Sequence, residues 1–580
     1  MATKRKFIPN WYEEPAVKGT YRSLFKWGGS AEFKHPNSGL VKLMMETFKL
    51  EEHDLLKPFD LGLEEVPDNQ PIRMEPQHVE ALRAICGETN LHTDTYTRLS
   101  RSYGSGMIDA LRLRRHIFEN LPELVVTPNS SEEVQQVINY CNENNIVVNI
   151  FGAGSTVTRG VEAVCKGITI DLSVHMNRLV EFNETDQTIT VQPGMTGPEL
   201  EELLNNAPER LGAKRRYTCG HFPQSFEYSS VGGWVVTRGA GQNSTYYGKI
   251  EDIVISQRYI TPRGEFKTCP HPRSATGPDF DQIMIGSEGT FGVLTEVTLR
   301  IFRWQPENRC RYSYMFKNWD EAMAACREIM QSECGYPSVF RLSDPEETDI
   351  AMKLYHIEGT PADSLLKVAG YKPMQKCLLL GLTDGEKGFS RNVNRQIRRI
   401  CRAHGAFNIS IAPATSQWEK GRFRDPYMRE AMQDFGILTD TLECAVTWSQ
   451  MKEVHARVRG FIKNHPNTIC MTHLSHAYPQ GGNLYFIFIS KIDTINEYLD
   501  LQYGILTEIQ KSGAAISHHH GVGKQSAPWL EGQIGNAQMD VIRALKKHFD
   551  PQNIMNPGGT LGLDMSAEQK EMRWSKNLEE

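Results

Sequence analysis

The sequence contains no run of about 18 apolar residues, the length a helix needs to cross a bilayer, so no transmembrane helix is expected. Its first seven residues, Met1 to Phe7, are basic but lead into Pro9, Asn10 and Glu13 without an apolar stretch, which excludes an ordinary secretory signal. Charge of either sign is scarce in excess: 64 lysines and arginines stand against 70 acids, a net of −6. That balance argues against a nucleic-acid partner, which requires a concentrated basic surface; Lys214, Arg215 and Arg216 form only a local patch. The 12 cysteines never form a CxxC pair, and no zinc-ligand spacing occurs. Scattered single thiols fit a reducing compartment and read as small buried hydrophobes. No repeat or low-complexity tract is found. The last residues, Asn577 to Glu580, are not a peroxisomal tripeptide of the Ser-Lys-Leu type, and no Arg-Leu-x5-His-Leu pattern lies near the N-terminus.

What is present is an ordinary globular composition, 39% apolar and 23% charged over 580 residues, enough for several domains. Residues 1–115 read as a helical extension, with Val79, Leu82 and Ile85 recurring at spacing three and a charged close at Leu111–His116. At Ser130 a capping box with Glu133 opens a helix whose Val134, Val137, Ile138 and Cys141 share one stripe. Strands are expected at Ile146–Phe151, Gly167–Leu172 and Thr188–Val191, and a hairpin across Ile253–Phe266 turning at Pro262-Arg263-Gly264. The expected class is α+β throughout: a first domain over 116–302, then a second over 303–535. Within the second, helices are expected at Trp319–Met330, Arg391–Ala406 and Met451–Asn464, and strands at Lys376–Leu382 and Leu484–Ser490. A segment 536–563, with a helix through Val541–His548, returns to the first domain, and a polar, frayed tail follows over 564–580.

Four glycine-rich stretches carry chemistry as a set. The first is Ile150-Phe151-Gly152-Ala153-Gly154-Ser155-Thr156 at the end of the strand Ile146–Phe151, where small residues let backbone N–H groups close on a phosphate. Taken singly it is a tight turn more often than a cofactor cradle, and it is neither a Walker A nor a GxGxxG fingerprint. The second is Pro223-Gln224-Ser225-Phe226-Glu227-Tyr228-Ser229, running on to Val236-Thr237-Arg238-Gly239 and Tyr247-Gly248-Lys249. The third is Glu288-Gly289-Thr290-Phe291-Gly292-Val293-Leu294, and the fourth Asn556-Pro557-Gly558.

In this order they resemble the two-subdomain FAD-binding domain of the vanillyl-alcohol oxidase and p-cresol methylhydroxylase superfamily. The resemblance implies that the first stretch holds the pyrophosphate of FAD, the second lines the flavin and the third adds contacts. The first loop offers no His or Cys near the flavin, so the cofactor is expected to be non-covalent. Within the superfamily, 115–563 looks most similar to the alkyldihydroxyacetonephosphate synthase family. The triple histidine of Ser517-His518-His519-His520-Gly521-Val522-Gly523, alone a metal-type or solvent-facing cluster, matches that family's active-site loop. Tyr485 matches its catalytic tyrosine, and Arg429 and Arg341 its active-site arginines. Without the family, Tyr485 would read as a core tyrosine and the arginines as surface ion pairs. Two departures stand out: Ala153 replaces the usual middle glycine, and Gln224 the usual aspartate.

The resemblance implies a redox-neutral exchange. The acyl group of 1-acyl-dihydroxyacetone phosphate is replaced by a long-chain fatty alcohol, giving the 1-alkyl ether and a fatty acid. Tyr485 is the expected base or proton relay, with His518, His519 and His520 moving protons. Arg429 would bind phosphate, and Arg341 would add a second positive contact, orient Tyr485 or act on the leaving carboxylate. No metal is assigned. Peroxisomal location and a homodimer come from the family alone, and peripheral membrane contact is expected from the fatty substrates. The rival is a D-2-hydroxy-acid dehydrogenase, whose Gly-His-x-Gly-Asp-Gly-Asn-Leu-His stretch carries metal-binding histidines; here the run from Ser475 lacks the Asp and ends in Tyr485. A flavin-free scaffold is the reading from another class.

Overall fold

The computed structural model describes residues 14–410 and 413–571. The basic N-terminal heptad and the final tetrad weighed above lie outside the described residues.

Ser130 Oγ accepts from the Glu133 N–H at 3.2 Å, and the Glu133 carboxylate reaches back to the Asn129 N–H at 2.8 Å. The helix that follows, Ser131–Glu143, buries Val134, Val137, Ile138 and Cys141 as the periodicity predicts. It covers a four-stranded sheet of Leu91–His92 (β1), Leu124–Val126 (β2), Val148–Phe151 (β3) and Ile168–Asp171 (β4), in the order β1-β2-β4-β3. β2 and β3 run parallel to β4. β1 lies inside the stretch read as a helical extension; its pairing with β2 makes that stretch part of the sheet. Along the free edge of β3 the chain returns from its C-terminal region: Val148 N–H donates to the Ile554 carbonyl, and Asn556 N–H to the Val148 carbonyl, both at 2.8 Å.

A second sheet is antiparallel, with Leu179–Asn183 (β5), Thr188–Val191 (β6), Val254–Thr261 (β8), Gly264–Lys267 (β9) and Val293–Arg300 (β10) in the order β5-β6-β10-β8-β9. The hairpin turns where Pro262 and Arg263 predict it. A two-stranded pair, Tyr217–Thr218 (β7) with Phe302–Arg303 (β11), closes this lobe.

The second lobe is one antiparallel sheet of seven strands: Cys310–Phe316 (β12), Val339–Ser343 (β13), Cys377–Thr383 (β14), Phe407–Asn408 (β15), Leu438–Thr447 (β16), Ile469–Tyr478 (β17) and Gly481–Ser490 (β18). Their order is β15-β12-β14-β13-β17-β18-β16. Side chains alternate between the faces of a strand. Leu484, Phe486 and Phe488 therefore share one face of β18 and join the core under the helices Trp319–Gln331, Lys387–Ala403, Met451–Asn464 and Ile495–Lys511. Asn483 and Tyr485 are left to the other face.

The polar tail expected from Asp564 is ordered at its start. The Asp564 carboxylate accepts from Gly558 N–H at 3.0 Å and Gly559 N–H at 2.9 Å, and Ala567–Lys570 is helical. A single acid with two nearby loop N–H groups to satisfy is enough to fold a polar segment back. Among the described residues no helix is long and apolar enough to cross a membrane.

Candidate active site

The glycine-rich stretches meet where the two lobes face each other. Gly152–Thr156 leaves the end of β3, and its Thr156 carbonyl accepts from Ser105 N–H at 2.8 Å. A Cβ on Gly152 would lie 2.7 Å from Ser230 Oγ; Gly154 sits at φ +70°, where a side chain would strike the Phe151 ring. Pro223–Ser229 passes through a single turn at Phe226–Tyr228 into the helix Val231–Val236, capped by Ser230. The third stretch touches both: Glu288 N–H donates to the Val236 carbonyl at 2.9 Å, and a Cβ on Gly289 would meet Ile150 at 2.9 Å. From Gly289, Thr290, Phe291 and Gly292 it enters β10 at Val293 and Leu294. The fourth reaches the same point, with Asn556 Nδ2 donating to the Glu288 carbonyl at 2.8 Å.

Not every expected cofactor residue turns inward. Arg238 donates to Gln282 at 2.9 Å, and its side chain is 43% exposed. Tyr228 donates outward to Glu32 at 2.7 Å, and Glu227 accepts from Tyr427 at 3.2 Å. Gln224 Nε2 donates to the Arg422 carbonyl of the second lobe at 2.6 Å, a bond the usual aspartate could not make.

On the opposite side of the seam, strand register sets a row of polar side chains. Ser343, His473, Tyr485 and Glu443 are cross-strand neighbours on β13, β17, β18 and β16, and Arg341 is paired with Ser475 one row away. The His473 ring stacks on Tyr485 at 4.9 Å. Arg341 Nη1 lies 3.2 Å from His473 Nε2, while Nη2 donates to Glu347, so Arg341 reaches Tyr485 only through His473. Tyr485 donates to Thr441 Oγ1 at 3.0 Å. Arg429, on the helix Asp425–Gln433, donates to the Ser105 carbonyl and lies 3.9 Å from Asp440. Through Ser105 it is tied to the first glycine loop.

The histidine loop is held from both lobes. Glu443 accepts from Ser517 Oγ at 2.8 Å and from the N–H groups of His518, His519 and His520 at 2.7, 3.0 and 3.1 Å. Glu288 accepts from the N–H groups of Val522 and Gly523, both at 2.7 Å. The loop so fixed lays His519 parallel to the Tyr485 ring at 5.8 Å and His520 edge-on at 5.6 Å. His518 Nε2 is 3.1 Å from Tyr478 Oη, which is 3.2 Å from Ser244 Oγ, itself 2.8 Å from His476 Nδ1. Glu443, His519 and His520 bring ligand atoms within 4.8 Å of one another, but the Glu443 oxygens are already engaged by loop donors.

Burial dominates the electrostatics. It pushes the Tyr485 hydroxyl up to about 12, opposed by its bond to Thr441. Burial, and then neighbouring imidazoles, hold His518 and His519 well below the ordinary histidine value; His520 is lowered too, although Glu443 and Asp440 work against the shift. Near neutral pH the site is thus a neutral phenol beside neutral imidazoles. His476 is likewise lowered by burial and by His519. Its folded form binds fewer protons than its unfolded form below about pH 6.5, so it costs stability as pH falls through that value. His476→Asn, which tolerates the left-handed backbone at φ +47°, should remove up to one proton from the slope. In urea unfolding at pH 5–6.5, stability should then fall less steeply, by up to about 1.4 kcal/mol per pH unit; an unchanged slope would reject the assignment.

Several of these groups escaped the sequence reading: Glu443, His473, Ser244, Tyr478 and His221. His221 is 1% exposed, and neither ring nitrogen meets a hydrogen-bond partner among the described residues. Period-two alternation along β17 gives only the face on which His473 stands; its meeting with Tyr485 depends on strand register, and nothing local signals the others.

Fold and seam together define a flavoprotein of the FAD-linked oxidase type. Residues 122–270 match the FAD binding domain and 305–560 the C-terminal domain of FAD linked oxidases. An alkyldihydroxyacetonephosphate synthase of Dictyostelium discoideum is 30% identical over 528 residues, 86% of this chain and 84% of that protein. The chain belongs to the alkyldihydroxyacetonephosphate synthase family. A solved alkyldihydroxyacetonephosphate synthase superposes with TM-score 0.76 at 24% identity, over 93% of this chain and 99% of that one. Substrate-bound p-cresol methylhydroxylase superposes with TM-score 0.65 at 16% identity, over 86% and 99%. The seam fits FAD: a glycine loop beyond parallel strands suits a pyrophosphate, and the unpartnered imidazole of His221 suits the polar edge of a ring.

Proposed function

We propose that this enzyme makes ether lipids by exchanging the acyl group of 1-acyl-dihydroxyacetone phosphate for a long-chain fatty alcohol. The observation that carries the reading is the buried stack of His473, Tyr485 and His519 with His520 edge-on. FAD, when bound without a covalent link, supplies an electron-poor ring that lets a leaving group exchange at the carbon next to the ketone with no net oxidation. The exchange consumes an alcohol proton and releases a carboxylic acid, so the site must pass protons both ways. Tyr485, protonated at neutral pH, donates or relays, and the neutral imidazoles of His519 and His520 accept. Arg429, with donors beyond its single bond to Ser105, would take the phosphate. Arg341, ion-paired with Glu347, would act by orienting His473.

On the same reading the protein works at the peroxisomal membrane as a homodimer, supported by the family. For the membrane a second support is the helix Pro361–Val368, whose Leu365 and Val368 are 67% and 88% exposed, close in sequence to exposed Tyr355, Ile357 and Met374. Recovery of all activity in the soluble fraction at low salt would count against it.

The deciding experiment mixes purified yellow protein with palmitoyl-dihydroxyacetone phosphate and hexadecanol, without an electron acceptor. Mass spectrometry should find the alkyl ether, with the flavin oxidised at the end. No ether, but dye reduction on adding D-lactate or D-2-hydroxyglutarate, would replace this reading with the dehydrogenase.

A further inference from the structure

We propose that Glu443 is the positioning residue of this site, the anchor that sets the histidine loop over Tyr485. The inference rests on the reading of Tyr485 and the histidines as the reacting groups. Glu443 stands directly across from Tyr485 in the β16–β18 register, so its side chain leaves the sheet beside the phenol. It is 2% exposed, and among the described residues it forms no ion pair with a lysine or arginine. A buried carboxylate without a cation is costly unless its lone pairs are filled. Here they are filled by three successive backbone N–H groups of one loop and by Ser517 Oγ. In its hydrogen-bonding amide orientation Asn483 Nδ2 adds a further donor at 3.0 Å.

Consecutive N–H groups pointing to one centre form an anion nest. The protein supplies its own anion for this nest from the strand next to Tyr485. The consequence is geometric: three backbone bonds fix where the Cα atoms of His518, His519 and His520 stand relative to the sheet. The parallel His519–Tyr485 contact and the edge-on His520 contact follow from that placement. Glu288, on the other lobe, holds only Val522 and Gly523, beyond the histidines. Glu443 therefore supplies three of the bonds that set the register of the imidazoles against the phenol, beside Lys249 Nζ on the His518 carbonyl at 2.9 Å, Thr158 Oγ1 on the His520 carbonyl at 3.5 Å and Tyr478 Oη next to His518 Nε2 at 3.1 Å.

Glu443→Gln keeps the length but turns an NH2 group toward the N–H donors. The holoenzyme carrying it should keep its FAD absorbance and its KM for both substrates within about threefold, while kcat falls at least about 100-fold. In protein labelled with 13C-histidine, several ring resonances should move relative to wild type. A kcat within threefold of wild type, or unmoved ring resonances, overturns the proposal. If Glu443→Gln does not accumulate as folded holoenzyme, Glu443→Asp carries the same test, with the charge kept and the reach one methylene shorter. The resonances need no substrate. Absence of ether with wild-type protein would sink the functional reading, while displaced rings in the variant would still uphold Glu443.

Discussion

Tyr485→Phe should bind FAD, melt close to wild type and form almost no ether. The substitution removes one oxygen from a buried site and leaves the ring, its stacking on His473 and its contact with His519 in place. The structural loss is a single hydrogen bond to Thr441, about 1 kcal/mol. The chemical loss is the group that moves protons, for which general acid–base catalysis sets a scale of about 10²–10⁴ in rate. The phenol stays protonated at neutral pH because burial pushes it up to about 12, so it acts as donor and relay and yields its own proton only to a neighbouring base. The imidazoles of His473, His519 and His520 are its neighbours, with rings 4.9, 5.8 and 5.6 Å from the phenol ring. Ether formation, flavin absorbance and thermal midpoint measured on one preparation decide the matter. A rate within tenfold of wild type would remove Tyr485 from the chemistry, and loss of flavin would make it a folding residue.

How much of this was legible in the sequence depends on the reach of each signal. Helix and strand periodicity placed Ser131–Glu143, β6 and the β8–β9 hairpin, because each is decided by neighbours a few residues apart. β1 was not legible: Leu91–His92 is two residues long, too short for any period, and its pairing partner lies about 34 residues on. Tyr485 and the histidines came from motif resemblance, since a tyrosine in the apolar run of β18 looks like core. Glu443 and His473 were missed for a physical reason. They become neighbours of Tyr485 only through the register of three strands, and register is set by the whole sheet. Arg341 shows the reverse: the motif found it, but Glu347 and His473 take its donors, so its path to the phenol is indirect.

The largest stability effect is expected far from Tyr485, at Asp434→Ala. Asp434 is 4% exposed and accepts two bonds from Arg22, at 3.1 and 2.9 Å, and one from Arg114 at 2.9 Å. Both guanidiniums are buried, at 3% and 0% exposure. Burial alone would disfavour the Arg22 cation, and the carboxylates around it, Asp434 first and Glu430 next, together outweigh that to raise its pKa. Removing one partner of a buried ionic group costs about 3–5 kcal/mol, because the remaining charge stays desolvated. Here two charges would remain, with Glu430 at 3.6 Å from Arg22 and backbone carbonyls of Phe59, Asp60 and Leu61 as their other contacts. Asp434 follows directly on the helix Asp425–Gln433, where Glu430 also binds Lys26 and the Trp27 N–H, so the N-terminal segment anchors the element that carries Arg429. The variant should therefore lose stability in urea by several kcal/mol and show a raised KM for the acyl substrate, while kcat, set by Tyr485 on β18, is kept. A urea midpoint equal to wild type would mean that water reaches these guanidiniums. A lowered midpoint with an unchanged KM would mean that Arg429 is held by Ser105 and Asp440 alone.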